Sequence, residues 1–376
     1  MDFKLSDEQE LLRDGLAKFL ATRYDLRKSR TAAKAGVGWQ PDIWRAFADE
    51  LGILGATLPE SAGGLGGGPV EAMVIAEALG YALVIEPYID TVVVAGGLLQ
   101  RAGGEQAGRV LQQIAEGTAV VSLAVTEPTS GDDLAEISTT ATADGGEWTL
   151  TGTKIVVMNA PIATHLLVAA QTPEGLSLFL TEFDAANPAV GLEVHPYRTV
   201  DDRRAADLTF DSLRLPADAL LGAVGEAEPS LRRARDEGAA AVVSEAVGGM
   251  RKVLADTVEY SKQRHQFGQP IGSFQALAHR MVDMYMELEQ AVAAAYLAVL
   301  NLDAEPDTRA RAVSAAKATA GRAARFIGQN AVQLHGGMGM TEELAIGHYF
   351  KRLTAMQHEF GSTASHLSRY AQLTKP

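Results

Sequence analysis

The chain has 376 residues, 47 Asp+Glu against 33 Lys+Arg, and a formal net charge of −14. That length buries a large core and predicts two or three domains, while the acidic balance argues against nucleic acid and anionic membranes as partners. There is no cysteine, which excludes disulfide scaffolds, thiolate zinc sites and cysteine nucleophiles.

The N-terminal stretch "MDFKLSDEQELLRDGLAKFL" has no basic segment leading into an apolar core and does not read as a signal peptide. It reads as a helix: Ser6 and Gln9 have capping-box spacing, and Leu12, Leu16, Phe19 and Leu20 recur at helical intervals. "PDIWRAFADELGILGA" starts a second helix, with Pro41 in its first turn and Gly52 near its end. "GPVEAMVIAEALGYAL" gives a third after the glycine-rich "GGLGGG". That cluster reads as a loop, because Pro69 stands where a dinucleotide fingerprint needs its third glycine and no strand precedes it. Residues 1–117 thus form an N-terminal helical domain.

From 118 to 226 the texture changes to short β-type runs, among them "AVVSLAVTE", "WTLTGTKIVVM" and "ADLTFDSLRLP", separated by Gly, Asp and Pro turns. An antiparallel sandwich or barrel is expected there. Residues 227–376 return to helix, with long segments at 231–264, 274–302, 306–335 and 341–357 and a short last helix near 362–372. The order helical, β, helical predicts an α+β multidomain protein and excludes an alternating βαβ sheet. No run of about 18 apolar residues exists to span a bilayer, and a cytoplasmic, soluble protein is expected.

Three stretches carry candidate chemistry. "VTEPTSG" ends a strand at Thr126-Glu127-Pro128, where strand-end amides and a hydroxyl can meet a flat polar ligand, although an ordinary strand-to-turn exit has the same residues. "RHQFGQPIGSFQ" breaks two helices; it is either an αα-hairpin anchored by Phe267 or a site where Arg264 forks onto a pyrophosphate beside Gln266 and Gln275. "QLHGGMGMTEE" is a second break whose Gly336, Gly337 and Gly339 let backbone approach a ligand. His358 and His366 lack metal-site spacing and a third ligand, so no metal is expected and both read as surface histidines.

Taken together, "TEP…G-D", "LTGTK", "R-x-QFG-x-PI-x-x-FQ" and "QLHGGMGMT" make the sequence resemble the acyl-CoA dehydrogenases over essentially its whole length. Within that family, "GGLGGGPVEAM", "VIEPYIDTVV", "ALAHRMVDM" and "GHYFKRLTAM" look most like the small subunit of pimeloyl-CoA dehydrogenase-type enzymes. The resemblance implies an N-terminal helical domain, a central antiparallel β domain and a C-terminal four-helix bundle, with bound FAD and a tetramer. It also implies α,β-desaturation of an acyl-CoA thioester, in which a glutamate removes the α-proton while hydride leaves the β-carbon for the flavin. Thr126, with Leu123 and Val125, falls on the family's flavin-contacting strand. Arg264, Gln266, Phe267 and Gln275 fall where the family reaches the FAD of a neighbouring subunit. Gln333, Leu334, Gly336 and Gly337 fall on the loop that cradles the neighbour's adenosine diphosphate, and Ser362 edges the flavin.

Departures from the family pattern sort to one side. The Trp and Thr of its "K-x-W-I-T-N" are Val156 and Met158 here, the serine of "GSD" is Asp132, and an arginine that meets CoA is Ala239. Aligned without a gap from Gly336-Gly337, the base position of "YEGT" is Phe360, with Glu359 one residue off register. The family's alternative base position, counted back from Arg264, is Gly238. Glu237 beside it points about 100° around the helix, and Glu245 lies about 10.5 Å along the axis; an arginine partner at a helix–helix interface is the plainer reading of Glu245. The half of the FAD site donated to a neighbour is therefore kept, while the chain's own flavin face and base are altered. That pattern implies the small subunit of a heterotetramer whose partner supplies the glutamate. The alternatives are a homotetramer with a relocated base (Glu359, Glu237 or Glu245) and a scaffold subunit that binds FAD or acyl-CoA without catalysis.

Overall fold

The structure is a computed structural model that describes residues 4–375 apart from Gly36 and Asp132. The helices are α1 (Asp7–Arg23), α2 (Leu26–Ala35), α3 (Pro41–Asp49), α4 (Pro69–Tyr81), α5 (Gly96–Ala102), α6 (Gly104–Ala115), α7 (Glu228–Gln263), α8 (Gln275–Val299), α9 (Pro306–His335), α10 (Ala345–Ala355) and α11 (Thr363–Thr374). The strands are β1 (Val121–Ala124), β2 (Thr140–Asp144), β3 (Glu147–Met158), β4 (His165–Thr172), β5 (Gly175–Glu182), β6 (Leu192–Arg198), β7 (Arg204–Pro216), β8 (Leu220–Leu221), β9 (His265–Gln266) and β10 (Gln269–Pro270). A π-helical stretch, Ile89–Ala95, precedes α5. Contacts group these elements into two compact units.

One unit comprises the chain up to Lys28, Pro69–Val84 and everything from Ala239 onward. The capping box expected at Ser6 and Gln9 is present: each side chain accepts the other's backbone N–H and closes the open first turn of α1. Helix α9 buries a run of alanines, including Ala316, Ala320, Ala323 and Ala324, so α8, α10 and α11 pack onto its surface. Where α4 crosses α7 the contact is backbone to backbone. A Cβ on Gly80 would strike the Glu245 carbonyl oxygen, and one on Gly248 would strike that of Glu77.

The other unit comprises Ser29–Gly68 and Ile85–Gly238 and is built on an eight-stranded sheet of order β6-β7-β3-β2-β4-β5-β8, with β1 beside β4. Strands β4 and β5 carry continuous apolar runs and are buried along most of their length, as strands covered on both faces require. The sheet is mixed where an antiparallel one was expected, because β4 pairs in parallel with β1 and β2. Strand β6 escaped the sequence pattern: "LEVHPYR" is mostly exposed, contains Pro196 and lies at the sheet edge, where a missing N–H is tolerated. Gly63 and Gly66 take positive φ in a turn after a short 3-10 helix, in agreement with the loop reading of "GGLGGG".

Candidate functional site

The sheet unit carries Leu123, Val125, Thr126 and Met158, all half-buried. Leu123 lies on β1, and Val125 and Thr126 continue the chain past its end. Lys154 of β3 is fully buried and its Nζ donates to the Val125 carbonyl at 3.3 Å and to Glu127 Oε1 at 2.7 Å, clasping Thr126 from both sides. Glu127 also accepts from Ser138 N (2.7 Å), Ser138 Oγ (2.6 Å) and Thr139 N (3.0 Å). Burial acts on both partners. It pushes the Lys154 ammonium down to about 8 against the pull of Glu127. It pushes Glu127 up, yet the hydrogen bonds from Lys154, Ser138 and Thr139 together outweigh it and hold that carboxylate at about 2. Ile155 N then donates to the Thr126 carbonyl at 2.9 Å, so β3 is tied directly to this turn. Asp132, expected near a substrate's CoA, lies outside the described residues.

The helical unit carries the other predicted residues. Phe267 sits in a tight β9–β10 hairpin at φ +54° and is 91% exposed, with Arg264 and Gln266 exposed around it and Gln275 opening α8. At the end of α9, Gln333, Gly336 and Gly337 are exposed and Leu334 is buried. The two helix breaks meet through a stacked pair, Tyr260 and His335, with ring centroids 4.3 Å apart. A Cβ added to Gly336 or Gly337 would meet no atom within 4 Å, so open space faces this backbone.

The loop after α10 is held by buried cations, Lys317 and Arg352, that the sequence reading did not name, although an arginine partner for Glu245 was expected. Lys317 of α9 is buried, and its Nζ donates to the carbonyls of Met356 (2.9 Å), Gln357 (3.3 Å) and Gly361 (2.8 Å). Arg352 of α10 grips Glu245 through Nε (2.9 Å) and Nη2 (2.8 Å), and Glu359 through Nη1 and Nη2. His366 is buried rather than on the surface as expected. Its ring lies between the Phe360 carbonyl (2.9 Å from Nε2) and Ser314 Oγ (3.3 Å from Nδ1), which satisfy it inside the helix packing. Ser362 caps α11 by accepting from Ser365 N. Phe360 is half-exposed at φ +54°, between a fixed carboxylate and a fixed glycine. Lys317 had a signal, since it is the lone charge within "SAAKATAG"; a lysine in a buried alanine stripe needs acceptors. Glu237, the remaining acid considered, is held by Arg101 at 2.9 Å and Arg233 at 2.8 Å. Among the described residues no cluster of His, Cys, Asp or Glu is able to hold a metal ion, and no helix is long and apolar enough to cross a membrane.

A helical–β–helical chain with a strand-end shelf and two glycine-rich helix breaks is the layout of a flavin-dependent dehydrogenase fold. Three family models match in order: the N-terminal, middle and C-terminal domains of acyl-CoA dehydrogenase, over residues 6–118, 122–213 and 231–373. The acyl-CoA dehydrogenase FadE12 of Mycobacterium tuberculosis is 31% identical over 361 residues, covering 91% of this chain and 89% of that one. Butyryl-CoA dehydrogenase of Megasphaera elsdenii superposes with a TM-score of 0.88 at 26% identity, covering 99% of each chain. A chain of the ChsE4–ChsE5 complex of Mycobacterium tuberculosis gives 0.90 at 25% identity over the full length of both. The protein belongs to the acyl-CoA dehydrogenase family, whose members are FAD-dependent oxidoreductases of acyl-CoA thioesters.

Proposed function

We propose that this chain is the small subunit of an FAD-dependent acyl-CoA dehydrogenase heterotetramer that desaturates an acyl-CoA between its α and β carbons, with the partner subunit supplying the catalytic glutamate. The observation that carries this reading is the loop around Phe360. The family's base position holds a phenylalanine, and each of the three acids considered as a relocated base, Glu359, Glu245 and Glu237, is bound to arginine. A carboxylate engaged by a guanidinium has its lone pairs occupied and is held away from a substrate, which opposes general-base work. The homotetramer with a relocated base is the weaker reading for the same reason.

The residues fit FAD. Exposed Phe267 with Arg264 and the open backbone at Gly336-Gly337 suit donation to a neighbour's cofactor, and the Thr126 turn suits the edge of a flat ring. Bound FAD supplies a hydride acceptor for the β-carbon. This chain's residues bind and orient: Arg264 offers a charged fork to pyrophosphate, Gln333 and the glycine backbone offer neutral donors, and the Phe360 ring fills space that a base would need. Assembly is supported by α8, where Val282, Tyr285, Met286, Leu297 and Leu300 lie on one helical face and are 42–56% exposed. The sequence likeness to pimeloyl-type small subunits favours a dicarboxyl, aromatic or polycyclic acyl group over a short fatty chain.

The test is to purify the chain alone and together with each acyl-CoA dehydrogenase of the same genome that co-purifies with it, then follow flavin bleaching with a panel of acyl-CoAs. Activity only in the mixture is expected, and full activity of the lone chain would overturn the reading. In the active assembly Glu359→Gln is expected to keep kcat within about twofold, whereas loss of a true base costs on the order of a hundredfold or more.

A further inference from the structure

A cavity of about 770 Å³ lies wholly within the helical unit, between α1, α4, α7, α8 and α10. Sites for small organic ligands span about 300–1,000 Å³, so this one has room for a whole molecule. Its opening has a cause in the sequence. Helix α1 turns Ala17 and Ala21 to it and α4 turns Ala78 and Ala82, each pair four residues apart and so on one face, and methyl groups leave unfilled the space that longer side chains would occupy. Leu20, Met73, Val74 and Tyr349 are buried and supply an apolar lining. No residue of the candidate cofactor site or of the Phe360 loop lines the cavity.

The charged groups that line it are unbalanced. Arg13, Arg251 and Lys252 stand against one acid, Glu77, an excess of positive charge in a chain whose net charge is −14. Arg251 gives its Nε to Glu77 at 2.7 Å, and Lys252 donates to Asp256 at 2.6 Å. A guanidinium carries five N–H donors and an ammonium three, so both cations keep donors to offer beyond these bonds. Both side chains are partly exposed, which leaves their charged ends in water while their stems run along the apolar wall. Lys252 also lies over the Tyr81 ring, 5.9 Å from its centroid, and Tyr81 lines the same cavity.

We propose that this cavity is a second ligand site, separate from the flavin and acyl-CoA machinery, and that it takes an amphipathic carboxylate: an apolar body lying between α1 and α4, with its one anionic group at Arg251 and Lys252. A neutral apolar molecule makes no use of the two cations, and a polyanion meets Glu77 and the acidic surface of the chain. A single carboxylate on a large apolar body matches both the lining and the charge. A straight-chain fatty acid and a fused-ring acid share that chemistry. The inference does not depend on the function proposed above.

The experiment titrates the purified protein, with any subunit that accompanies it, against the fluorescent fatty acid cis-parinaric acid. Saturable binding is expected. Displacement by palmitate assigns a straight-chain ligand and displacement by deoxycholate a fused-ring one; displacement by neither overturns the proposal. Ala21→Trp, at an exposed position of α1, fills the cavity and is expected to abolish binding while leaving flavin bleaching by acyl-CoA unchanged. Should it fail to fold, Ala17→Trp on the same face serves instead. The double variant Arg251→Gln, Lys252→Gln is expected to weaken palmitate about tenfold or more, as loss of charge-assisted hydrogen bonds does, and to leave hexadecanol unaffected. No saturable binding, full binding in the tryptophan variant that folds, or hexadecanol held as tightly as palmitate by wild type overturns the proposal. So does a parallel loss of flavin bleaching in that variant, which would put the probe in the acyl-CoA site. Probe binding by an assembly that no acyl-CoA bleaches overturns the proposed function and leaves this site standing, which separates the two failures.

Discussion

Arg352 carries two carboxylates on one guanidinium, and this decides how the loop before α11 behaves. The arginine is 4% exposed, Glu245 3% and Glu359 18%, so replacing it leaves two acids in a poorly hydrated site with like charge. Arg352→Met is expected to destabilise the protein by about 3–5 kcal/mol, the usual cost of an orphaned buried charge, as measured by urea unfolding. Restoration of most of that loss by Arg352→Met with Glu245→Gln would locate the cost in the charge rather than in packing. Glu127 gives a pH prediction. Its folded-state pKa is about 2 against an ordinary 4.5, so its contribution is fully present above about pH 4.5 and is lost as the pH falls towards 2. The shift corresponds to ~3 kcal/mol. The double variant Glu127→Gln, Lys154→Met is expected to flatten the acid limb of the stability profile between those values. An acid limb as steep as that of wild type would assign acid unfolding to other groups.

At the scale of elements, periodicity made the long helices legible, because α7, α8 and α9 repeat their apolar faces over many turns and end at Gly- or Pro-rich breaks. Strand β6 was illegible because an exposed edge strand with a proline carries no alternation to read. The positions of the glycine breaks followed from sequence, and their meeting through Tyr260 and His335 required coordinates. An arginine partner for Glu245 was read from the sequence and Arg352 supplies it, whereas the Lys317 bonds were hidden, because their partners are carbonyls of a segment brought alongside only by helix packing. Gly80 and Gly248 also gave no local signal, since both sit inside helices where glycine weakens propensity. Their role is contact, and Gly248→Ala is expected to force α4 from α7 and cost about 1–3 kcal/mol or more. Differential scanning calorimetry checks this; a gain in stability from improved helix propensity would show that the crossing is loose.

For the whole molecule, the question is how an acidic chain offers an association surface. Charge of −14 keeps chains apart at long range, so a stable assembly needs an uncharged contact large enough to win at short range. The α8 stripe is the candidate: Val282, Tyr285 and Met286 are each more than half exposed on the same helical face as Leu297 and Leu300, with Glu289 the one exposed acid among them. Isolated exposed apolar side chains are ordinary, but a stripe along a helix is the pattern of a covered surface. Met286→Glu places a carboxylate in that contact, where desolvation costs a few kcal/mol. The concentration at which the assembly dissociates is then expected to rise by about a hundredfold or more, read by light scattering across a dilution series. An added acid outside the contact also weakens assembly, though only by enlarging the general repulsion between acidic chains. High salt therefore discriminates: it screens a repulsion between surface charges but leaves a buried carboxylate desolvated, so persistence of the Met286→Glu defect in about 1 M salt assigns the α8 stripe to the interface.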